Sequence, residues 1–377
     1  MKKLLINKKL VKETKIYIGN NSNNYLKNFI SSKKLLIISS KSGRLRFLKE
    51  YPYLNINNLE FIDKVNNYPT VNFAESIFKS LKKKDYNTII AFGGGSVIDF
   101  SKIIKIFLEI NKKISIKNLI QNLKNYRIKK KINLIAIPTT AGTGSEVTNF
   151  ATLWDNIGKK KLSLESKNLF PDIAILDPKN TLELNYKNTL YTSIDALNQL
   201  FDSYWNKKSN KQIKKISSKG IEISLKEIKT IDKKKLSTNK RLKLLYVSLL
   251  SGICIKHTRT SICHSISYPL TSYFKVPHGL AVFFTTKEVF NFILERKKNF
   301  FDQIIKNTNY KNEKEIEKDI QYILKKHSIK EKIKKYKIKF SKIEKVINQM
   351  FSKARFKNFV LNLNVESLRE ILIKSYY

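Results

Sequence analysis

Between Lys15 and Pro178 the chain alternates short apolar runs with longer stretches whose apolar residues recur every three or four positions. KIYIG (15–19), KLLIISS (34–40), NTIIAFGGG (87–95) and NLIAIPTT (133–140) are β-rich runs, each ending in Gly, Ser or Thr. Between them, NNYLKNFISS, NFAESIFKSLKKK and VIDFSKIIKIFLEI carry the helical period. Such alternation predicts βαβ units and a mostly parallel sheet, with ligands at the carboxyl ends of the strands. After Leu176-Asp177-Pro178 the β-rich runs cease, and TSIDALNQLFDSYW, RLKLLYVSLLSGICI, LAVFFTTKEVFNFIL and VESLREILIKSYY are helical in period. The expected architecture is therefore an α/β N-terminal domain over residues 1–178 and an all-helical C-terminal domain over residues 179–377. Residues 305–350 are Lys-rich and irregular, and read as surface helices.

Length and composition agree with two domains, since 377 residues is ~2.5 times the usual domain length. Only Cys254 and Cys263 are present, too few for a disulfide framework. The apolar stretch Leu4–Ile6 is too short for a signal-peptide core, and no apolar run approaches the ~20 residues of a membrane-spanning helix. A soluble, cytoplasmic protein is expected. The net charge of +44 raises the possibility of nucleic-acid binding. Only eight of the 74 basic residues are Arg, however, and Lys, Asn and Ile are abundant in every segment. That uniform bias reads as a coding preference written onto a fold, with Lys on solvated faces.

Two turns carry chemistry. Gly93-Gly94-Gly95-Ser96-Val97-Ile98-Asp99 follows a strand and opens a helix, where missing side chains let backbone N–H groups approach a pyrophosphate. Its spacing is not GxGxxG. The second turn, Pro138-Thr139-Thr140-Ala141-Gly142-Thr143-Gly144-Ser145-Glu146-Val147-Thr148, offers hydroxyls and free backbone donors suited to ribose, phosphates and carboxamide.

GGGSVID, PTTAGTGSEVT, ILDP, DALNQLFDSYWN and the paired histidines ending in PHG resemble, in this order, the iron-dependent (group III) alcohol dehydrogenases. The resemblance covers nearly the whole chain and implies a dehydroquinate synthase-like fold that binds NAD(P)H in the first domain and a divalent metal in the second. It assigns the nucleotide to Ser40, Gly93, Gly94, Gly95, Ser96, Asp99, Thr139, Thr140, Thr143 and Lys161. Many NAD-preferring members carry an Asp where this chain has Ser40, followed by Lys41 and Arg44. Room and positive charge for a 2′-phosphate follow, so NADPH is expected to serve at least as well as NADH.

Asp195 and Gln199 are four apart and share one helical face, whereas His264 and His278, with Pro269 and Pro277 between them, must come from two helices. The family usually binds Fe2+ or Zn2+ through one Asp and three His. The resemblance thus implies Asp195, Gln199, His264 and His278 as ligands, with Gln199 a neutral, weaker donor in place of imidazole. His257 is excluded as a substitute ligand because seven helical residues would hold it ~10.5 Å from His264 along the axis. Tyr268 stands where several members carry a proton-relaying His.

DALNQLFDSYWNKKSN and HSISYPLT resemble the branch of phosphonoacetaldehyde reductases (hydroxyethylphosphonate dehydrogenases), for which Arg259, with Lys256 and His257, would hold the phosphonate. The expected partners are small aldehydes and alcohols, not membrane or nucleic acid, in a homodimer. The alternatives are a non-redox dehydroquinate synthase-like enzyme and a basic nucleic-acid-binding protein that has lost its metal.

Overall fold

The computed structural model describes residues 10–30, 34–81, 84–110, 115–123, 126, 128, 130–155, 160–351 and 353–377. Two compact units divide the chain. One comprises the described residues up to Thr140 together with Gly144–Glu183, and the other comprises Ala141–Thr143 and Leu184–Tyr377.

The first unit is built on a six-stranded parallel sheet of β1 (Lys15–Ile18), β2 (Leu35–Ser39), β3 (Leu59–Ile62), β4 (Thr88–Gly93), β5 (Asn133–Pro138) and β8 (Ile173–Leu176), in the order β1-β8-β5-β4-β2-β3. Apolar residues are continuous along β2, β4 and β5 because both faces are covered, and alternate side chains serve different cores. Leu36, Ile38, Ile89, Ala91, Leu134 and Ala136 pack on one side with Ile98 and Phe100 of α3 (Gly95–Ile110). Leu35, Ile37, Ile90, Phe92, Ile135 and Ile137 pack on the other with Phe47 of α1 (Lys41–Glu50). α2 (Val71–Leu81) and α4 (Ile116–Asn122) join the first core through Ala74, Phe78 and Leu119. A separate antiparallel hairpin pairs β6 (Phe150–Asp155) with β7 (Lys160–Glu165).

The period reading missed β3 and β8, which have four residues each, and the hairpin, whose strands are only partly apolar. NNYLKNFISS, expected as an α-helix, forms 3-10 turns over Ser22–Phe29.

In the second unit, no strand occurs among the described residues. α5 (Tyr186–Tyr204) is buried over most of its length and packs with α6 (Lys211–Ile228), α7 (Thr238–Thr258) and α9 (His278–Phe283), while α8 (Ile262–Phe274) lies against α9. Close approach to α5 requires glycine: a Cβ on Gly220 would meet Leu200 at 2.8 Å, and one on Gly279 would lie 2.0 Å from the Tyr191 carbonyl oxygen. LAVFFTTKEVFNFIL, one helical run by period, is divided at Phe284-Thr285 into α9 and a helix over Thr286–Arg296.

Candidate active site

In the first unit the chain leaves β2 through α1 toward β3 at one edge, and leaves β4 through α3 toward β5 in the opposite direction. The connections diverge between β2 and β4, with α1 and α3 packed on different faces, which is the switch point where open α/β sheets bind ligands. Ser40 and the glycine turn flank it. Gly94 has its would-be Cβ 3.1 Å from Thr140 Oγ1, and Thr139 N donates to the Gly93 carbonyl at 3.0 Å, so the structure brings the two turns together. Val97 and Ile98 both donate to the Gly94 carbonyl, no acidic residue occupies the first turn of α3, and the helix presents its positive end there. This cradle, which a side chain on Gly94 would fill, fits a pyrophosphate.

Other assigned residues are engaged by the protein itself. Asp99 accepts from Ser145 Oγ and, at 3.1 Å, from Thr152 N. Beside it the buried Lys102 Nζ donates to Ser145 Oγ, Thr148 Oγ1 and the Phe150 carbonyl at 2.9–3.0 Å. Asp99 thus ties the second turn and β6 to α3. Ser96 Oγ donates to the Asn67 carbonyl at 2.6 Å, and Ser40 caps α1 by accepting from Gly43 N at 3.2 Å. Arg44 forms an ion pair with Asp63 at 3.0 Å, so the charge expected for a 2′-phosphate already has a carboxylate beside it. Thr143 falls in the second unit. Lys161 pairs with Trp154 in the hairpin, and its side chain lies outside the described residues.

In the second unit Asp195, His264 and His278 converge, with one ligand atom of each within 4.8 Å of the others. Asp195 Oδ1 stands 3.3 Å from His264 Nε2 and 3.9 Å from His278 Nε2. Donors bound at ~2.1 Å from one ion lie about 3.0–3.4 Å apart at tetrahedral or octahedral angles, so Asp195 and His264 stand at the spacing of a divalent-cation site and His278 lies slightly wider. His264 is fully buried, yet its Nε2 makes no hydrogen bond among the described residues, as expected of an atom kept for a metal.

Asp202, which sequence reasoning missed, sets this orientation. It lies two turns after Asp195 on α5, completely buried, and its Oδ2 accepts from His264 Nδ1 at 2.7 Å and from Ser261 N at 2.8 Å. Trp205 Nε1 donates to its other oxygen at 2.9 Å. With Nδ1 protonated toward Asp202, the Nε2 lone pair faces Asp195, the usual support for a metal-ligating imidazole. Burial pulls the His264 pKa down, but the carboxylates of Asp195 and Asp202 beside the ring outweigh it and raise it to about 9, so a cation binding at Nε2 would displace a proton. The i, i+7 spacing of two acids on one face was the available signal.

Gln199 Oε1 accepts from Ser251 Oγ at 2.9 Å, and its Nε2 donates to Asp195 Oδ2 at 3.4 Å. The amide in this orientation steers Asp195. His278 opens α9 directly after Pro277, and Tyr268 stacks parallel to it with ring centroids 5.9 Å apart and planes 16° apart. Tyr268 sits one turn after His264 on α8, whose internal Pro269 does not interrupt it.

His257 corrects the helical argument above: α7 ends at Thr258 and α8 begins at Ile262, so His257 and His264 occupy different helices, and His257 is exposed. The break is at Arg259, with φ 66° and ψ 171°, a conformation rare for a residue with a side chain. Its carbonyl is held by Thr258 Oγ1 at 2.9 Å and Asn206 Nδ2 at 3.3 Å.

Among the described residues no helix is long and apolar enough to cross a membrane. Residues 13–178 match the sequence pattern of the family described as iron-containing alcohol dehydrogenase, and residues 189–376 match the C-terminal pattern of that family. An alcohol dehydrogenase of Thermococcus barophilus is 29% identical over 317 residues, 81% of this chain and 82% of that protein. The NADPH-dependent butanol dehydrogenase of Clostridium saccharobutylicum is 29% identical over 274 residues, 71% of this chain and 69% of that protein. The crystal structure of an iron-containing alcohol dehydrogenase from Thermotoga maritima superposes with a TM-score of 0.80 at 24% identity, covering 97% of this chain and 98% of that one.

Proposed function

The chain belongs to the iron-containing alcohol dehydrogenase family and is an NAD-linked oxidoreductase, and on that premise we propose that it reduces small aldehydes to alcohols, with Asp195, His264 and His278 holding Fe2+ or Zn2+. The observation that carries this reading is the convergence of those three donors around the unbonded, buried His264 Nε2. The divalent ion supplies Lewis acidity that polarises a carbonyl and favours the developing alkoxide, and the nicotinamide supplies the hydride.

The protein's share is positioning and electrostatics. Gly93, Gly94 and the start of α3 receive the pyrophosphate, with Thr139 and Thr140 beside it. Asp202 holds the His264 ring, and Gln199 holds the Asp195 carboxylate. Tyr268, stacked on His278, is the phenol this chain offers to deliver a proton to the alkoxide. Gln199 contributes at most a fourth, weak donor, because its oxygen is already occupied by Ser251.

The finer substrate reading, phosphonoacetaldehyde reduced to 2-hydroxyethylphosphonate, rests on the local strings around Asp195 and His264. Reading NAD(P)H absorbance with an aldehyde panel, with and without added Fe2+ or Zn2+, tests the function. His264→Ala should abolish turnover while leaving the protein folded. Full turnover by that variant, or by metal-stripped protein, would overturn the metal assignment. Absence of turnover with every aldehyde would favour a non-redox relative.

A further inference from the structure

Five of the eight arginines are committed within the protein. Arg44, Arg46, Arg296 and Arg369 form ion pairs with Asp63, Glu183, Glu370 and Glu344, and the buried Arg241 donates to Thr189 Oγ1 and the Leu184 carbonyl. Arg355 differs. It lies in the short helix Lys353–Phe356, only partly exposed, and among the described residues no carboxylate is within ion-pair distance of it. Its Nε donates to Thr260 Oγ1 at 3.2 Å, which fixes the plane of the fork and leaves the two terminal nitrogens for another acceptor. Its guanidinium carbon lies 4.4 Å from the centroid of the Tyr268 ring, the ring that is itself stacked on His278.

We propose that Arg355 is the specificity-determining residue of this site, binding the terminal oxyanion of a short aldehyde whose carbonyl is reduced beside His278. The proposal rests on the reductase reading above. The two centroid separations place the guanidinium no more than about 10 Å from the His278 ring. A chain of two to four carbons between the carbonyl and the oxyanion, followed by a charge-assisted hydrogen bond of ~2.8 Å, fits within that limit. A planar fork preset by Thr260 and by the aromatic face matches the oxygens of a carboxylate, sulfonate or phosphonate with little ordering cost. Contacts remote from the reacting carbon orient the carbonyl for hydride transfer, so part of their benefit is realised in the transition state. Arg259, the sequence-based candidate for holding the anion, lies at the break between α7 and α8 with φ 66°.

The test compares butanal with succinic semialdehyde, sulfoacetaldehyde and phosphonoacetaldehyde in wild type, Arg355→Met and Arg355→Lys. Wild type should prefer at least one anionic aldehyde over butanal by tenfold or more in kcat/KM, and the pattern among the three identifies the headgroup. Arg355→Met should lower kcat/KM for that aldehyde at least 30-fold, mainly through KM, and leave butanal within threefold. Arg355→Lys, which keeps the charge but not the fork, should lose three- to tenfold and also serves if the Met variant does not fold. Calorimetric titration of nucleotide-free enzyme with the matching hydroxy acid should show binding to wild type at least tenfold tighter than to either variant. Equal losses for butanal and the anionic aldehyde would make Arg355 a structural staple and overturn the proposal. A wild type that reduces butanal without preferring any anion overturns it alone, whereas a wild type that reduces no aldehyde overturns the reductase reading with it.

Discussion

Gly279→Ala should dismantle the metal centre without touching a ligand. A Cβ on residue 279 would lie 2.0 Å from the Tyr191 carbonyl oxygen, 2.8 Å from its carbonyl carbon and 3.1 Å from its Cα. All three atoms are backbone of α5, so no rotamer relieves the clash. Restoring ordinary contact of ~3.3 Å requires α9 to withdraw from α5 by about 1.3 Å. His278 is the preceding residue on α9, and its Nε2 faces Asp195 on α5 across 3.9 Å. Metal–ligand distances tolerate only ~0.2 Å, so a shift of that size takes His278 out of the coordination sphere. Affinity for Co2+ or Zn2+, measured by competition with a chelator, should fall at least tenfold, and kcat/KM should fall on the order of 100-fold. Overpacking of this kind costs about 1–3 kcal/mol, a fall in Tm of roughly 2–12 °C for a unit of this size. Gly220→Ala is the control, because its Cβ meets the flexible end of the Leu200 side chain at 2.8 Å. It should lower stability while sparing metal affinity. Wild-type metal affinity and turnover in Gly279→Ala would refute the assignment of His278.

Asp202→Asn would set an amide NH2 against the surrounding donors Trp205 Nε1, Ser261 N and His264 Nδ1, and should weaken metal binding about 10- to 100-fold, visible in the same competition assay. Glu146 is buried, and desolvation raises its pKa from 4.5 to about 7, so the folded state retains a proton that the unfolded chain releases. Its contribution to stability is whole below pH ~4.5 and declines as pH rises to ~7, so Glu146→Gln should flatten the fall in Tm between pH 5 and pH 8; an unchanged profile would contradict this. NADPH should serve at least as well as NADH, and Asp63→Asn, by releasing Arg44, should raise the kcat/KM ratio of NADPH to NADH further. A tenfold wild-type preference for NADH, or no change on releasing Arg44, would count against the adenosine-ribose assignment.

Local pattern was sufficient wherever a residue's environment follows from its neighbours in sequence. Strands covered on both faces must be continuously apolar, so β2, β4 and β5 are legible as LLIIS, TIIAFG and NLIAIP, while the half-exposed β3 and the β6–β7 hairpin carry no such signature. The glycine turn is equally local, as is the one-turn spacing of Asp195 and Gln199. Tertiary structure alone decided what crosses long separations. That α7 and α8 part at Arg259 depends on Asn206 and Thr258 holding a backbone carbonyl in a rare conformation, and no period in the sequence records it. Asp202 takes its part only because α8 returns His264 to the buried face of α5, where an unpaired carboxylate would be costly and a donor must meet it. The turn of the Gln199 amide was set by Ser251, 52 residues away, and the neutralisation of Arg44 by Asp63 on the next strand's exit. Arg355 stands 87 positions from the Tyr268 it covers, just beyond the Lys-rich residues 305–350, in a chain whose many Lys leave sequence unable to distinguish one cation from another. Chain folding supplied that distinction by leaving this guanidinium beside an aromatic ring, with no acid among the described residues at ion-pair distance.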